Sequence, residues 1–504
     1  MILKNKLLNF TKFPLIAFLL ISTSYVLIKL GFQCHWDEWT GRGLFPALSM
    51  ANGEDIYSLN KQPLVTGYGA GMALFYLIAS IGRDPIQSIT IAYLMNVTSM
   101  LFILILCIIK LEYRHKSFSS ERLILYVTLF CFFILTSSSD LTLNYIFTIH
   151  ADWPALFYLF TSLILYRFRL SVNKFKVNFL ISILIGLAFW TKITVLPSLF
   201  VFILIPFLAQ RYKDAFFNLT IIGVSVLFFY TLLGSLYGFK DVFFFTFQSA
   251  QKFSWIDRDT NIFIGNGVNF ETFGKKITLL LKMFTLYITD YWYYLFAAVI
   301  TLSYYFVRKS FSNMLFPMTF LLLLPSCLSA LAKWGGIENS LLFCNSLGLF
   351  LFIEIIFNFC EKEINENKNI YLFPALLTLL CVVSITPIRV AKTINSHIVE
   401  SPNTQAFNYL AGGNHDVFFP WYPIAHYFAE GKIYSGLEVP TWIGLAFPEL
   451  INFDKSHFPN DVAVIALSDR FPYGKSAIER NIGKLIKIDH RKELYNWGLY
   501  KIDE

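Results

Sequence analysis

Apolar runs of about twenty residues, each closed by a short polar or basic turn, recur along the chain from Phe13 to Ile388. A helix needs roughly 20 such residues to cross the hydrocarbon core of a bilayer. The pattern therefore predicts an α-helical polytopic membrane protein. Crossings are expected at residues 13–32, 86–110, 123–139, 152–167, 179–190, 194–209, 215–237, 287–307, 314–332, 341–360 and 371–388, about 11 transmembrane helices in all. Lys4, Lys6 and Lys12 precede the first, and the positive-inside rule then holds the N-terminus in the cytoplasm. The stretch 64–82 is also apolar, but counting it as a crossing would put Lys110, Arg114, Lys116 and Arg122 outside. It is glycine-rich (Gly67, Gly69, Gly71), and a re-entrant or juxtamembrane helix keeps the orientation consistent.

Beyond residue 390 the period changes. Short strand-like runs at 417–421, 462–468, 485–489 and 495–502 alternate with polar helical candidates. This predicts a transmembrane domain over 1–390 and a small C-terminal α/β domain over 391–504. An odd number of crossings places that domain on the extracytoplasmic side, where Phe418, Phe419, Trp421, Tyr422 and Trp442 read as core aromatics rather than acceptor contacts.

Composition sharpens the class. Aromatic residues make up 18% of the 504 and charged residues 15%, as expected of a chain whose main solvent is lipid. The net charge of +8 comes from 41 basic and 33 acidic residues, and the excess sits in short loops, where it orients helices. Nucleic acid is excluded as a partner. The seven cysteines show no CxxC or metal-ligand spacing. Asn96-Val97-Thr98 and Asn218-Leu219-Thr220 match a glycosylation pattern inside predicted spans and are read as chance.

Candidate chemistry gathers on the outer face. Asp37 and Glu38 follow the first crossing within Cys34-His35-Trp36-Asp37-Glu38-Trp39-Thr40. Asp152 opens a helix in His150-Ala151-Asp152-Trp153-Pro154, where proline is tolerated in the first turn and Asp152 is placed as a cap. Lys192 joins two short spans, and a cation there asks for an anion. Arg258 lies in a long outer stretch, 238–282, while Lys333 and Asn339 flank a glycine-bearing turn. Helix caps and interfacial anchors account for any one of these residues. Their convergence on one face, against mainly basic cytoplasmic turns, favours a site. Carboxylates take a proton from a hydroxyl, and lysine or arginine balances phosphate charge. Together they describe transfer from a phosphate-bearing donor to a hydroxyl. Trp36, Trp39 and Trp153 read as interfacial belt residues. His35 and His150 beside three carboxylates also offer ligands to a divalent metal.

The order of these features resembles the GT-C superfamily of membrane glycosyltransferases, and its family-39-like and mannosyltransferase-like members in particular. The resemblance runs over about residues 10–345 and rests on Asp37-Glu38 after the first span and His150-Ala151-Asp152-Trp153-Pro154-Ala155-Leu156. It also rests on Gly186-Leu187-Ala188-Phe189-Trp190-Thr191-Lys192 and Lys333-Trp334-Gly335-Gly336. Where many relatives carry Pro-Pro-Leu in the juxtamembrane stretch, this chain has Gly67-Tyr68-Gly69-Ala70. The resemblance implies a polyprenyl-phosphate-linked sugar donor, inversion in one displacement, and a glycan, lipid or protein acceptor. It implies Asp37 as general base, Glu38 orienting base or acceptor, Asp152 assisting acceptor or sugar binding, and Lys192 meeting the donor phosphate. No cofactor is required, since acidic sites in this superfamily need not hold a metal. The expected location is a bacterial inner membrane with the site facing outward. A transporter or flippase of lipid-linked saccharides is the competing reading, with the same charges lining a pathway. A polymerase or ligase of O-antigen type fits less well with a carboxylate pair straight after the first span.

Overall fold

The computed structural model describes residues 38–57, 69–115, 149–167, 174–248, 255–257, 260, 262–264, 270–333, 338–365, 402–434, 463–468, 475, 478–479, 483–488, 492–494 and 497–502. The expected crossings at 13–32, 123–139 and 371–388, together with Asp37 and Arg258, lie outside them.

Helix α1 (Glu38–Ala51) starts directly after Asp37, and Gly53 closes its exit turn at φ 74°. Helix α2 (Ala70–Tyr76) continues as a 3-10 turn, Leu77–Ile81. Its seven residues of α-helix and five of 3-10 turn form a short apolar element, with fewer than the roughly 20 residues of a full crossing. Helix α3 (Pro85–His115) follows. Helix α4 (Asp152–Arg167) carries Pro154 in its first turn, where the missing N–H has no helical partner to lose. Helix α5 (Lys174–Thr191) packs along α4, and a broken run of short helices returns: a 3-10 turn Ile193–Val195, α6 (Leu196–Leu199) and α7 (Val201–Leu208). Helix α8 (Tyr212–Tyr237) packs on α5 and α7 and stops at Gly238, whose φ of 86° suits glycine. Three helices among the described residues are long and apolar enough to cross a membrane: Pro85–Ile103, Tyr212–Tyr237 and Phe311–Leu331.

The outer stretch 238–282, whose glycines and mixed charges suggest a loop with interfacial helices, contains regular elements. It holds α9 (Phe239–Phe243), a π-turn Phe244–Gln248 and an antiparallel pair, β1 (Trp255–Asp257) with β2 (Ile262–Ile264). Helix α10 then begins at Phe270, not near Tyr287, and runs to Val307 with a kink at Tyr291. Its first turns look loop-like because they are charged, but they are amphipathic: Leu279, Met283 and Tyr287 are buried while Glu271 and Lys275 pair on the exposed side, 2.6 Å apart. Helix α11 (Leu315–Leu331) and helix α12 (Leu342–Asn365) complete a three-helix group with α10.

Near one end of this bundle, at the C-terminus of α4, Arg167 donates to both carboxylate oxygens of Glu354 on α12. Tyr305 Oη donates to Glu354 Oε1 at 2.8 Å and Arg167 Nε to Asn313 Oδ1 at 3.3 Å. These contacts clamp α4, α10 and α12 together, with the turn before α11 held by Asn313.

The C-terminal residues form helix α13 (Pro402–Ala411), β3 (Val417–Phe418), helix α14 (Pro423–Glu430), β4 (Val464–Ser468), β5 (Leu485–Lys487) and β6 (Trp497–Ile502). The strands fall within the four runs that the sequence marks. Sheet order is β3-β4-β6-β5, with β3 parallel to β4 and the other pairs antiparallel. Phe418, Phe419, Trp421 and Tyr422 are all buried. Helix α14 has proline at its start and Gly431 at φ 66° after its end, and it lies against α1 and α3.

Candidate functional site

The start of α4 is where the charges meet. Asp152 is fully buried, and both of its oxygens are engaged. Lys192 Nζ donates to Oδ1, and His150 Nδ1 lies 2.5 Å from Oδ2. An ionised carboxylate only accepts, so Nδ1 carries the proton and Nε2 is left as the second ring nitrogen. Lys192 reaches this position because α5 ends at Thr191 and the chain turns extended there, φ −152° and ψ 119°, before the next 3-10 turn. Expected in separate roles, Asp152 and Lys192 are partners of each other.

Around this cluster the backbone is packed without room for side chains. A Cβ on Gly69 would lie 1.8 Å from the Trp190 carbonyl oxygen, and one on Gly71 would lie 2.1 Å from Thr191 Oγ1. The glycines that mark a re-entrant stretch in the sequence thus let α2 sit directly on the end of α5. A Cβ on Gly43 would lie 1.7 Å from the Ile149 carbonyl oxygen, so α1 rests against the turn that carries His150. Glu38 begins that same helix, five residues earlier.

Of the other basic candidates, Lys333 follows the end of α11, and Arg258 lies outside the described residues. Ser326 Oγ donates to the Thr194 carbonyl at 3.0 Å, tying α11 to the turn after Lys192. Lys333 lies seven residues further on, roughly 10 Å along a helical rise. It forms a β-bridge with Trp255, and Ile256 N–H donates to the Ala332 carbonyl at 3.0 Å. Lys276 Nζ lies 6.0 Å from the Trp255 ring centre, and Lys282 pairs with Asp257 at 2.7 Å. Burial, and secondarily the charge of Lys276, push the Lys333 ammonium below its ordinary value. Such a pair of like charges beside an aromatic ring suits an anion. Asn339 lies in the 3-10 turn Glu338–Leu341 that leads into α12.

The sequence matches no protein-family model and no curated protein. Among solved structures, the chain is similar to the Archaeoglobus fulgidus oligosaccharyltransferase tethered with an acceptor peptide containing the NVT sequon via a disulfide bond. The TM-score is 0.45 and identity 11%, over 90% of this chain and 69% of that chain. The archaeal oligosaccharyltransferase AglB from the same organism, in complex with an inhibitory peptide and a dolichol-phosphate, gives the same values.

Two residues near the cluster carry no sequence signal of their own. Tyr76, fully buried on α2, donates from Oη to Asn96 Oδ1 at 2.9 Å, and the backbone of His150 hydrogen-bonds the same hydroxyl. Ser99 accepts from Trp153 Nε1 at 2.8 Å. The reading of Trp153 as a belt residue is therefore corrected: its ring is 3% exposed and its N–H is spent inside the bundle on Ser99. An apolar helix with isolated Tyr, Asn and Ser looks like lipid-facing sequence until its partners are known. Among the described residues no group of three or more His, Cys, Asp and Glu is arranged to hold a metal ion.

Proposed function

We propose that this chain is a membrane glycosyltransferase of the GT-C type. It moves a sugar from a polyprenyl-phosphate-linked donor to a hydroxyl on a glycan, lipid or protein acceptor at the extracytoplasmic face. The observation that carries the reading is the buried His150–Asp152–Lys192 cluster lying beneath the helix that starts at Glu38. Burying a carboxylate is expensive even with Lys192 and His150 as its partners, and a purely structural bundle has little reason to do so at a helix start.

In this reading Asp37 is the general base for the acceptor hydroxyl, and Glu38 orients acceptor or base. Asp152 fixes His150 with Nε2 toward the site and assists acceptor or sugar binding. Lys192, Arg258 and Lys333 balance phosphate charge on donor and leaving group, and Asn339 lines the same turn. About eleven crossings over 1–390 would carry the site, with 391–504 as an outer α/β domain on a bacterial inner membrane.

The test is transfer of radiolabelled sugar from membrane lipid-phosphate donors by purified wild type and Asp37→Asn. Asparagine keeps the shape and loses the base. A decrease of roughly 10²–10⁴-fold in the variant supports the assignment. Equal transfer by both proteins removes Asp37 from the role of base. Movement of lipid-linked sugar across vesicles by both, with no transfer, replaces the reading with a flippase.

A further inference from the structure

Helix α1 is held at two points. At its sixth residue, Gly43 sits on the Ile149 carbonyl, one residue from His150, with no space for even a methyl group between them. At its exit, Asn52 Nδ2 donates to the Leu48 carbonyl at 2.9 Å and to Tyr427 Oη at 3.0 Å. Tyr427 lies on α14, whose body packs on α1 and α3. Asn52 and Tyr427 are 375 residues apart in sequence, so this contact is built by the fold and not by local chain geometry.

Helix α14 is itself fixed in orientation. Glu430 at its end meets His415 Nδ1 at 2.8 Å and His426 Nδ1 at 3.1 Å, and His426 Nε2 accepts the Phe419 N–H at 3.0 Å. The helix is therefore anchored to the β3 end of the C-terminal sheet, and its outward-facing Tyr427 reaches α1. The 14-residue helix is about 21 Å long, and only Pro46 interrupts its hydrogen bonding between the Asn52 contact and Gly43, so the two contacts are joined by less than about three turns of backbone.

We propose that α14 is a positioning element for the site. Through Tyr427 and Asn52 it sets the register of α1 against the 149–152 turn, and with it the placement of the turn that carries His150 and Asp152. Tyr427 and Asn52 are positioning residues that touch neither donor nor acceptor. The link to transfer rests on the reading of the His150–Asp152–Lys192 cluster given above, whereas the mechanical coupling does not.

The experiment uses the full chain in detergent micelles and measures hydrogen–deuterium exchange in wild type, Tyr427→Phe and Asn52→Ala. Tyr427→Phe removes one hydroxyl and keeps the ring. Loss of one hydrogen bond predicts roughly two- to tenfold faster exchange over residues 38–51, with β4 and β6 unchanged. Exchange over 38–51 equal to wild type in both variants overturns the proposal. Should Tyr427→Phe loosen β4 as well, Asn52→Ala, made on the membrane side of the contact, decides by the same criterion. Steady-state transfer from membrane lipid-phosphate donors is run in parallel. A positioning role lowers kcat with the donor KM unchanged. Absence of transfer by wild type counts against the transferase reading alone, because the exchange result stands without it.

Discussion

Lys192 and Asp152, 40 residues apart in sequence, form an ion pair in which the carboxylate is fully buried and the ammonium side chain is only 14% exposed. Removing one partner of such a pair leaves a desolvated charge, which costs about 3–5 kcal/mol, whereas removing both is far milder. Lys192→Met is therefore expected to lower the thermal unfolding temperature sharply. The double variant Lys192→Met/Asp152→Asn should recover most of the loss but not regain sugar transfer. Unfolding followed in detergent for wild type and both variants checks this.

Arg167 and Glu354 form the corresponding buried pair at the other end of α4. Tyr305 Oη also donates to Glu354, so Glu354→Gln keeps the size and weakens two interactions at once. We expect a loss of about 1.5–3 kcal/mol for a charged hydrogen bond, with any effect on transfer following the loss of folded protein. A kcat decrease at equal folded fraction would contradict a purely structural role for this clamp.

Glycine at positions 43 and 69 answers to backbone, not to a movable side chain. In Gly43→Ala the new methyl would overlap the Ile149 carbonyl, and in Gly69→Ala the Trp190 carbonyl. Either helix must then move away from the turn or helix end that carries the cluster. Both variants are expected to lose at least tenfold in transfer, whereas Gly223→Ala, with open space around it, should leave transfer at the wild-type rate.

Acid should loosen the C-terminal sheet. Burial lowers the pKa of His426 in the folded protein, against the opposing pull of Glu430, with His415 and Lys432 adding to the lowering. Burial raises the Glu430 pKa, but its bonds from His426 and His415 outweigh that and hold it below the ordinary carboxylate value. For the histidine, the unfolded chain takes up its proton first as pH falls, so stability is full above about pH 6.5 and declines below it. For the glutamate, stability is present above its unfolded value and is lost as pH falls through the folded one. The two terms act in the same direction. The protection of amides over 464–468 and 497–502, corrected for the intrinsic pH dependence of exchange, should fall between about pH 7 and 5, and His426→Gln should flatten that fall.

Much of the helical pattern was legible because the bilayer imposes a length. The helices at 152–167, 174–191, 212–237 and 342–365 coincide with apolar runs, and Asp152 announced itself beside Pro154. What the sequence hid was partnership. Asp152 and Lys192 each read as a lone charge awaiting a ligand, and nothing local reveals that they meet. Charge also blurred 270–282, where the mixed signs suggest a loop with interfacial helices and the structure has the start of one long amphipathic helix, with Glu271 and Lys275 on its exposed side. Tyr76, Asn96 and Ser99 were invisible because single polar residues in an apolar helix are identified only by what they touch.

The backbone break at Tyr291, φ −132° and ψ 22°, divides α10 into two arms with different loads. Both arms join the three-helix group, the outer one through Tyr287 Oη, which donates to Asn345 Oδ1 at 3.3 Å, and the outer arm also bears Lys276 and Lys282 against the strand pair. Lys276 lies fifteen residues from the break, a lever of about 22 Å. Every ten degrees of rotation at Tyr291 sweeps Lys276 through about 4 Å at that length. A pivot at Tyr291 therefore moves Lys276 relative to the Trp255 ring and to Lys333, which bridges the same strand.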